Sequence, residues 1–174
     1  MAETAIIVPV PEAEAVVGSW RRRYTPSGAS GMPAHITLLV PFADSDDLDA
    51  DRTREVGEVL LRFEPVELSL VATANFDGPP TVLYLDPEPA APFQAMTEAL
   101  VRAFPEHPPY GGAHGRIVPH LTVATRLDRG RMAAIAAEVA AVLPITARAG
   151  EAWLMEFVEG VWRLRNRFAL AAAA

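Results

Sequence analysis

The chain has 174 residues, 51% of them hydrophobic, and a net charge of −7 with no Cys. That length suits one compact unit or two small lobes sharing a core. The acidic balance excludes a broad basic surface for long nucleic acid. All 15 basic residues are Arg. A Walker-type phosphate lysine, a Schiff base and a lysyl-nucleotide intermediate are therefore excluded, and the lack of Cys excludes thiol catalysis and zinc–thiolate sites.

In chain order, Thr4–Val10 reads as a short apolar strand that meets Pro11. Ala13, Val16, Val17, Trp20 and Tyr24 then recur at helical spacing. Arg21, Arg22 and Arg23 read as a solvated helix end rather than an anion site. A Gly/Pro-rich stretch, 27–33, leads into the strand Pro33-Ala-His35-Ile-Thr37-Leu-Leu-Val. Val56, Val59, Leu60 and Phe63 mark a second helix, and Val66–Phe76 a strand.

The order then starts again. Thr81–Pro87 is a strand, and Phe93, Met96, Leu100 and Phe104 share one helical face. The loop Pro108-Pro-Tyr110-Gly-Gly112 precedes Val118-Pro-His120-Leu-Thr122-Val-Ala. Met132, Ile135, Ala136, Val139, Val142 and Leu143 form the next helical stripe. Ile145–Phe157 reads as a strand, Glu159-Gly160 as a turn and Val161–Leu170 as the last strand. The fold expected is α+β: a duplicated β-α-β-α-β unit, repeat 1 at about 4–76 and repeat 2 at about 81–170. It gives two pseudo-symmetric lobes, with antiparallel-rich sheets around a central cleft, in one domain spanning 1–174.

On a strand, residues two apart share a face, so His35 pairs with Thr37 and His120 with Thr122. The residues between them, Ile36 and Leu121, take the opposite face. One such strand carries little meaning. Two related by an internal repeat bring both imidazoles and both hydroxyls to one place. In-line displacement at phosphorus needs a base for the attacking water and an acid for the leaving oxygen, on opposite sides. Histidine suits both roles because it titrates near neutrality, and the Thr hydroxyls can donate to the non-bridging oxygens. Neither motif has metal-ligand spacing; His107 and His114 lie in a Pro/Gly-rich loop. No metal and no cofactor are expected.

His35-Ile-Thr37-Leu and His120-Leu-Thr122-Val resemble the paired motifs of the 2H phosphoesterase superfamily, and the chain is most similar to its 2′-5′ RNA ligase family of RNA 2′,3′-cyclic phosphodiesterases. The context agrees, from Pro-Ala-His-Ile-Thr-Leu-Leu-Val-Pro-Phe42 to Val-Pro-His-Leu-Thr-Val-Ala124, and the likeness spans about residues 4 to 170. The resemblance implies metal-free opening of 2′,3′-cyclic phosphates to 2′-phosphates, with 2′-5′ ligation as the reverse. It also implies that His35 protonates the leaving 3′ oxygen and His120 activates water. Some members carry an Arg after the second motif, where this chain has Thr125; Arg116 and Arg126 are the nearest substitutes. Strict alternation from His120 puts Arg126 on the cleft side.

Phe42 and Tyr110 are candidates to stack a base, as are Trp20 and Tyr24. The expected substrate is a small nucleotide or an RNA end, and the protein is expected to be a cytoplasmic monomer with no membrane segment. Two alternatives stand beside this reading. One is a nucleotide- or RNA-binding module without turnover. The other is a phosphodiesterase of the same fold acting on ADP-ribose cyclic phosphate or 2′,5′-oligonucleotides.

Overall fold

A computed structural model describes residues 3–112 and 117–171. It is an α+β fold of two four-stranded antiparallel sheets with helices against them. The strands are β1 (Thr4–Pro9), β2 (His35–Leu39), β3 (Val66–Phe76), β4 (Val82–Glu88), β5 (Leu121–Thr125), β6 (Ile145–Ala149), β7 (Glu151–Val158) and β8 (Val161–Ala169). The helices are α1 (Pro11–Tyr24), α2 (Pro26–Ala29), α3 (Ala50–Leu60), α4 (Ala91–Ala103) and α5 (Arg129–Ala140). Among the described residues, no helix is long and apolar enough to cross a membrane.

The helix ends follow local chemistry. Pro11 sits in the first turn of α1 with Glu12 and Glu14, and Arg21, Arg22 and Arg23 fill the last turn, complementing the helix dipole at both ends. Asp49 caps α3 through the Arg52 N–H, and Asp128 caps α5 through the Arg131 N–H. The Glu159-Gly160 turn joining β7 to β8 has positive φ at both residues, 52° and 83°, as a two-residue hairpin needs.

One sheet has the order β2-β1-β7-β8 and the other β5-β4-β3-β6. The lobes are therefore not the two halves of the chain. β1 and β2 pair within the first half, and β4 and β5 within the second. Strands then cross between the sheets: β3 of the first half pairs with β4, and β7 of the second half pairs with β1. The stretch 145–157, read from the sequence as one strand, breaks at Gly150, where it passes from one sheet to the other. β6 pairs with β3 from Val66↔Ala149 to Leu70↔Ile145, as β8 pairs with β7 in the other sheet. One continuous core lies beneath both sheets, including Ile36, Leu38, Leu83, Leu85, Phe93, Leu100 and Leu121.

The two motif strands are irregular in the same way. Thr37 pairs with Ile7 but Leu39 with Ile6, so Leu38 is an extra residue. Thr122 pairs with Tyr84 but Ala124 with Leu83, so Val123 is an extra residue. Each bulge follows its motif Thr directly, and a bulge re-aims the side chains beyond it.

The corner between α1 and α2 sets the entry to β2. The Thr25 hydroxyl donates to the Arg21 carbonyl at 2.8 Å and accepts from the Gly28 N–H at 3.0 Å, closing one helix and opening the next. A Cβ on Gly28 would lie 2.5 Å from the Arg21 carbonyl oxygen and 2.7 Å from the Thr25 hydroxyl. Backbone cannot withdraw as a side-chain tip can. Gly28→Ala should therefore cost about 1–3 kcal/mol in denaturant unfolding. A neutral result would show that this corner is not close-packed.

Candidate functional site

Alternation on the motif strands is as the sequence implies. Ile36, Leu38, Leu121 and Val123 are buried, while His35, Thr37, His120 and Thr122 are half-exposed. β2 and β5 are the edge strands of their sheets and lie against each other, which brings the two motifs together.

Both histidines are held alike. His35 Nδ1 lies 2.7 Å from the carbonyl oxygen of Pro33, and His120 Nδ1 lies 2.8 Å from that of Val118. A carbonyl only accepts, so each Nδ1 carries the proton and donates it two residues back along its own chain. In the neutral ring that leaves Nε2 as the lone-pair nitrogen.

The sequence reading missed the residue that joins the two motifs. Arg21 is buried on α1, not solvated. Its Nη1 donates to the Thr122 carbonyl at 2.5 Å, and its Nη2 to the Pro33 carbonyl at 3.1 Å and the Met32 carbonyl at 3.4 Å. The same Nη2 lies 3.4 Å from His35 Nδ1. Glu14, two turns earlier, accepts from the Ala34 N–H at 2.8 Å, so α1 grips the run before His35 at several points. Arg21 falls in register with Ala13 and Val17 on the buried face of α1, and that register was the available signal.

Burial lowers the Arg21 pKa to about 10, opposed by Glu14, so the guanidinium stays charged at neutral pH. Burial likewise pushes His35 down to about 3, with the charge of Arg21 next in importance. The Pro33 hydrogen bond acts in the opposite sense, and His120 adds a further lowering. His35 and His120 are thus close enough to sense each other's charge.

Tyr110 ties the cleft together. Its hydroxyl hydrogen-bonds the Thr37 hydroxyl, and its ring lines a cavity of about 630 Å³ beside His120, Val118, Asn75 and Phe76. The His120 ring meets Phe76 and Tyr84 edge-on, with centroids 5.0 and 5.4 Å away. On the other sheet, Thr37, Ile7 and Trp153 form one cross-strand row, with Ile7 buried in a small apolar cluster, Trp153 packed against that cluster and Arg167 over Trp153. Phe76, Tyr84 and Trp153 were not among the sequence candidates.

Four candidates fall elsewhere. Phe42 is buried and packs edge-on against Phe104 and His107, so it offers no face to a base. Its neighbour Ala43 bonds Thr4, which pins this segment into the core. Arg126 lies beyond the end of β5, exposed, with φ 60°. The bulge at Val123 shifts the alternation by one residue, so spacing from His120 no longer aims Arg126 at the cleft. Arg116 and His114 lie outside the described residues. Trp20 packs against the core, and Tyr24 accepts from Arg131 through its hydroxyl. Among the described residues, no group of three or more His, Asp or Glu is placed to hold a metal ion.

The His35 shift gives a stability prediction. The unfolded chain titrates this ring near its ordinary 6.5, and the folded chain near about 3. Between those values the unfolded state binds a proton that the native state does not, so stability falls as the pH falls through this window. The slope reaches about 1.4 kcal/mol per pH unit from this one group. Denaturant unfolding of the wild type and His35→Gln between pH 7 and 4 should show a shallower acid loss in the variant. Equal slopes would contradict the burial of a neutral ring.

Three comparisons with known proteins bear on the fold and the family. The family profile described as the 2′-5′ RNA ligase superfamily matches residues 9–160. A Bacillus licheniformis protein named "Putative phosphoesterase" is 29% identical over 123 residues, covering 71% of this chain and 70% of that one. The apo structure of E. coli LigT superposes with a TM-score of 0.62 at 17% identity, covering 97% of both chains. The crystal structure of TT0787 from Thermus thermophilus also gives a TM-score of 0.62, at 19% identity, covering 99% of this chain and 100% of that one. At such identities the two structures establish the fold, and the profile establishes the kinship. The chain is a phosphoesterase-type protein that belongs to the 2′-5′ RNA ligase superfamily of 2H phosphoesterases.

Proposed function

We propose that the protein opens 2′,3′-cyclic phosphates at RNA ends or on small nucleotides, leaving a 2′-phosphate, with 2′-5′ ligation as the reverse step. The observation that carries this reading is the matched pair of histidines. Each is anchored through Nδ1 to its own backbone, on strands of one cleft that lie against each other.

In the forward step, one Nε2 takes a proton from water as the water oxygen attacks phosphorus. The P–O3′ bond breaks, and O3′ receives a proton from the other imidazole in its protonated form. The 2′ ester survives, giving a 2′-phosphomonoester and a 3′ hydroxyl. The Thr37 and Thr122 hydroxyls are the matching candidates to donate to the non-bridging oxygens. Phe76, Trp153 and the ring of Tyr110 are surfaces on which a base could stack, and they support a nucleotide over a phosphorylated sugar. The net charge of −7 favours a short substrate or a strand end. These side chains supply both proton transfers and the oxyanion contacts, so the reading calls for no metal.

His35→Ala and His120→Ala should each lower kcat on a 2′,3′-cyclic nucleotide by about 10²- to 10⁴-fold while leaving the fold intact by circular dichroism. Thr37→Val and Thr122→Val should cost less, about 1–3 kcal/mol in kcat/KM. Turnover should survive prolonged EDTA treatment. Near-wild-type activity in either His variant would overturn the two-histidine reaction, and loss on chelation with recovery on adding a divalent ion would overturn its metal independence. A panel that includes ADP-ribose cyclic phosphate and 2′,5′-oligonucleotides would decide the substrate class.

A further inference from the structure

In this acidic chain, many exposed arginines are neutralised in place. Arg22 pairs with Glu14, Arg54 with Asp51, Arg148 with Glu67 and Arg163 with Glu159. At one corner four are not. Among the described residues, Arg23 in the last turn of α1, Arg126 just past β5, and Arg129 and Arg131 in the first turn of α5 form no ion pair, and all four are exposed. We propose that this corner is an anion site, separate from the two motifs, that holds backbone phosphates of an RNA strand whose cyclic end lies in the cleft. This rests on the cyclic phosphodiesterase reading and narrows its substrate class to an RNA end.

The four cations gather around Tyr24. Arg23 and Arg131 both lie over its ring, 5.3 and 5.6 Å from the centre, and Arg131 Nη2 donates to its hydroxyl at 3.0 Å. The Thr125 hydroxyl donates to the Tyr24 carbonyl at 3.1 Å, so the end of β5, with Arg126 after it, lies against the end of α1. The Arg126 N–H bonds the Thr81 carbonyl at 3.0 Å, and its φ of 60° turns the chain sharply toward α5. The carboxylates that Arg131 senses are Asp128 and Glu138, and that of Asp128 is engaged as the cap of α5.

This arrangement costs stability in the free protein. Like charges gathered without acids repel one another. The first turn of α5 holds no acid, and the positive end of the helix dipole disfavours Arg129 and Arg131 there. By contrast, α1 and α3 carry Glu12, Glu14 and Asp51 in their first turns. A polyanion would relieve both penalties. Guanidinium forks match phosphate oxygens, and the Tyr24 ring is already occupied by guanidinium groups, so the corner is suited to phosphates rather than to bases.

The placement fits a strand. Arg126 follows Thr122 by four residues, a reach of about 13 Å in extended chain. A 2′,3′-cyclic phosphate closes the 3′ end of an RNA, so the rest of the strand leaves through the 5′ oxygen of the same nucleotide. Its next phosphates can span that reach, and a mononucleotide cannot.

The test compares a cyclic mononucleotide with a short single-stranded RNA ending in the same cyclic nucleotide. The variant is Arg23→Gln/Arg129→Gln/Arg131→Gln. It should lower kcat/KM on the RNA at least about tenfold at low salt and leave the mononucleotide nearly unchanged, since only the RNA releases counterions at this corner. A second arm needs no turnover. Wild-type binding of an RNA with a 2′-phosphate end should weaken with salt, and the variant's slope of log affinity against log salt should be shallower by about 2, for three lost arginines on a single strand. Arg129→Glu alone should raise the thermal midpoint while weakening RNA binding. Equal losses on both substrates, an unchanged salt slope, or a lowered midpoint in Arg129→Glu would overturn the proposal. Polyglutamate that competes as well as the RNA would also overturn it, in favour of an acidic protein partner. Wild-type protein that opens neither substrate would sink the function itself, whereas turnover of both with no effect of the variant would sink this inference alone.

Discussion

A buried positive charge that binds backbone carbonyls from both halves of the chain is the constraint on which the site depends. Arg21 bonds residues 32 and 33 before the first motif and residue 122 within the second. Taking a guanidinium out of water is costly, and here the cost is offset by oriented carbonyl dipoles rather than by a buried carboxylate. The planar fork explains why this residue is an arginine: one side chain sends two nitrogens in fixed directions to two strands. A lysine ammonium carries the charge but not the geometry. Burial is the larger cause of the neutral His35 ring, and the nearby cation favours that neutral form further.

The topology makes that clamp possible. The first half lends β3 to the other half's sheet and the second half lends β7 and β8, so neither half is a separable lobe. The exchange leaves β2 and β5 as edge strands, adjacent to each other and free to present one face to a cleft. α1 then reaches across to β5, through Arg21 to Thr122 and through the Tyr24 carbonyl to Thr125. Pairing, bulges and histidine anchors keep the near-twofold relation of the halves. Arg21 departs from it, bonding the carbonyl of Pro33 before the first motif and that of Thr122 within the second.

Much of this was legible in the sequence, for physical reasons. Helices with an apolar stripe and strands of period two announce themselves, and the repeat placed His35, Thr37, His120 and Thr122 on comparable strands. What escaped depended on contacts between distant residues. Arg21 looked solvated because it heads a run of three arginines, although its register with Ala13 and Val17 put it on the buried face. Phe42 looked available because it follows a motif strand, but it fills the core beside Phe104. Arg126 was aimed by counting in twos, and the bulge at Val123 breaks that count. The hydrogen bond between Tyr110 and Thr37 joins residues that only the folded chain brings together.

The central claim is that two histidines from separate halves of the chain serve one phosphate. The most direct measurement is a titration of the free protein with a nucleoside 2′-monophosphate, following the ring Cε1–H resonances of His35 and His120. The account predicts that both resonances move together and fit one dissociation constant, with His107 little affected. Movement of one histidine alone, or two different constants, would contradict a single shared site.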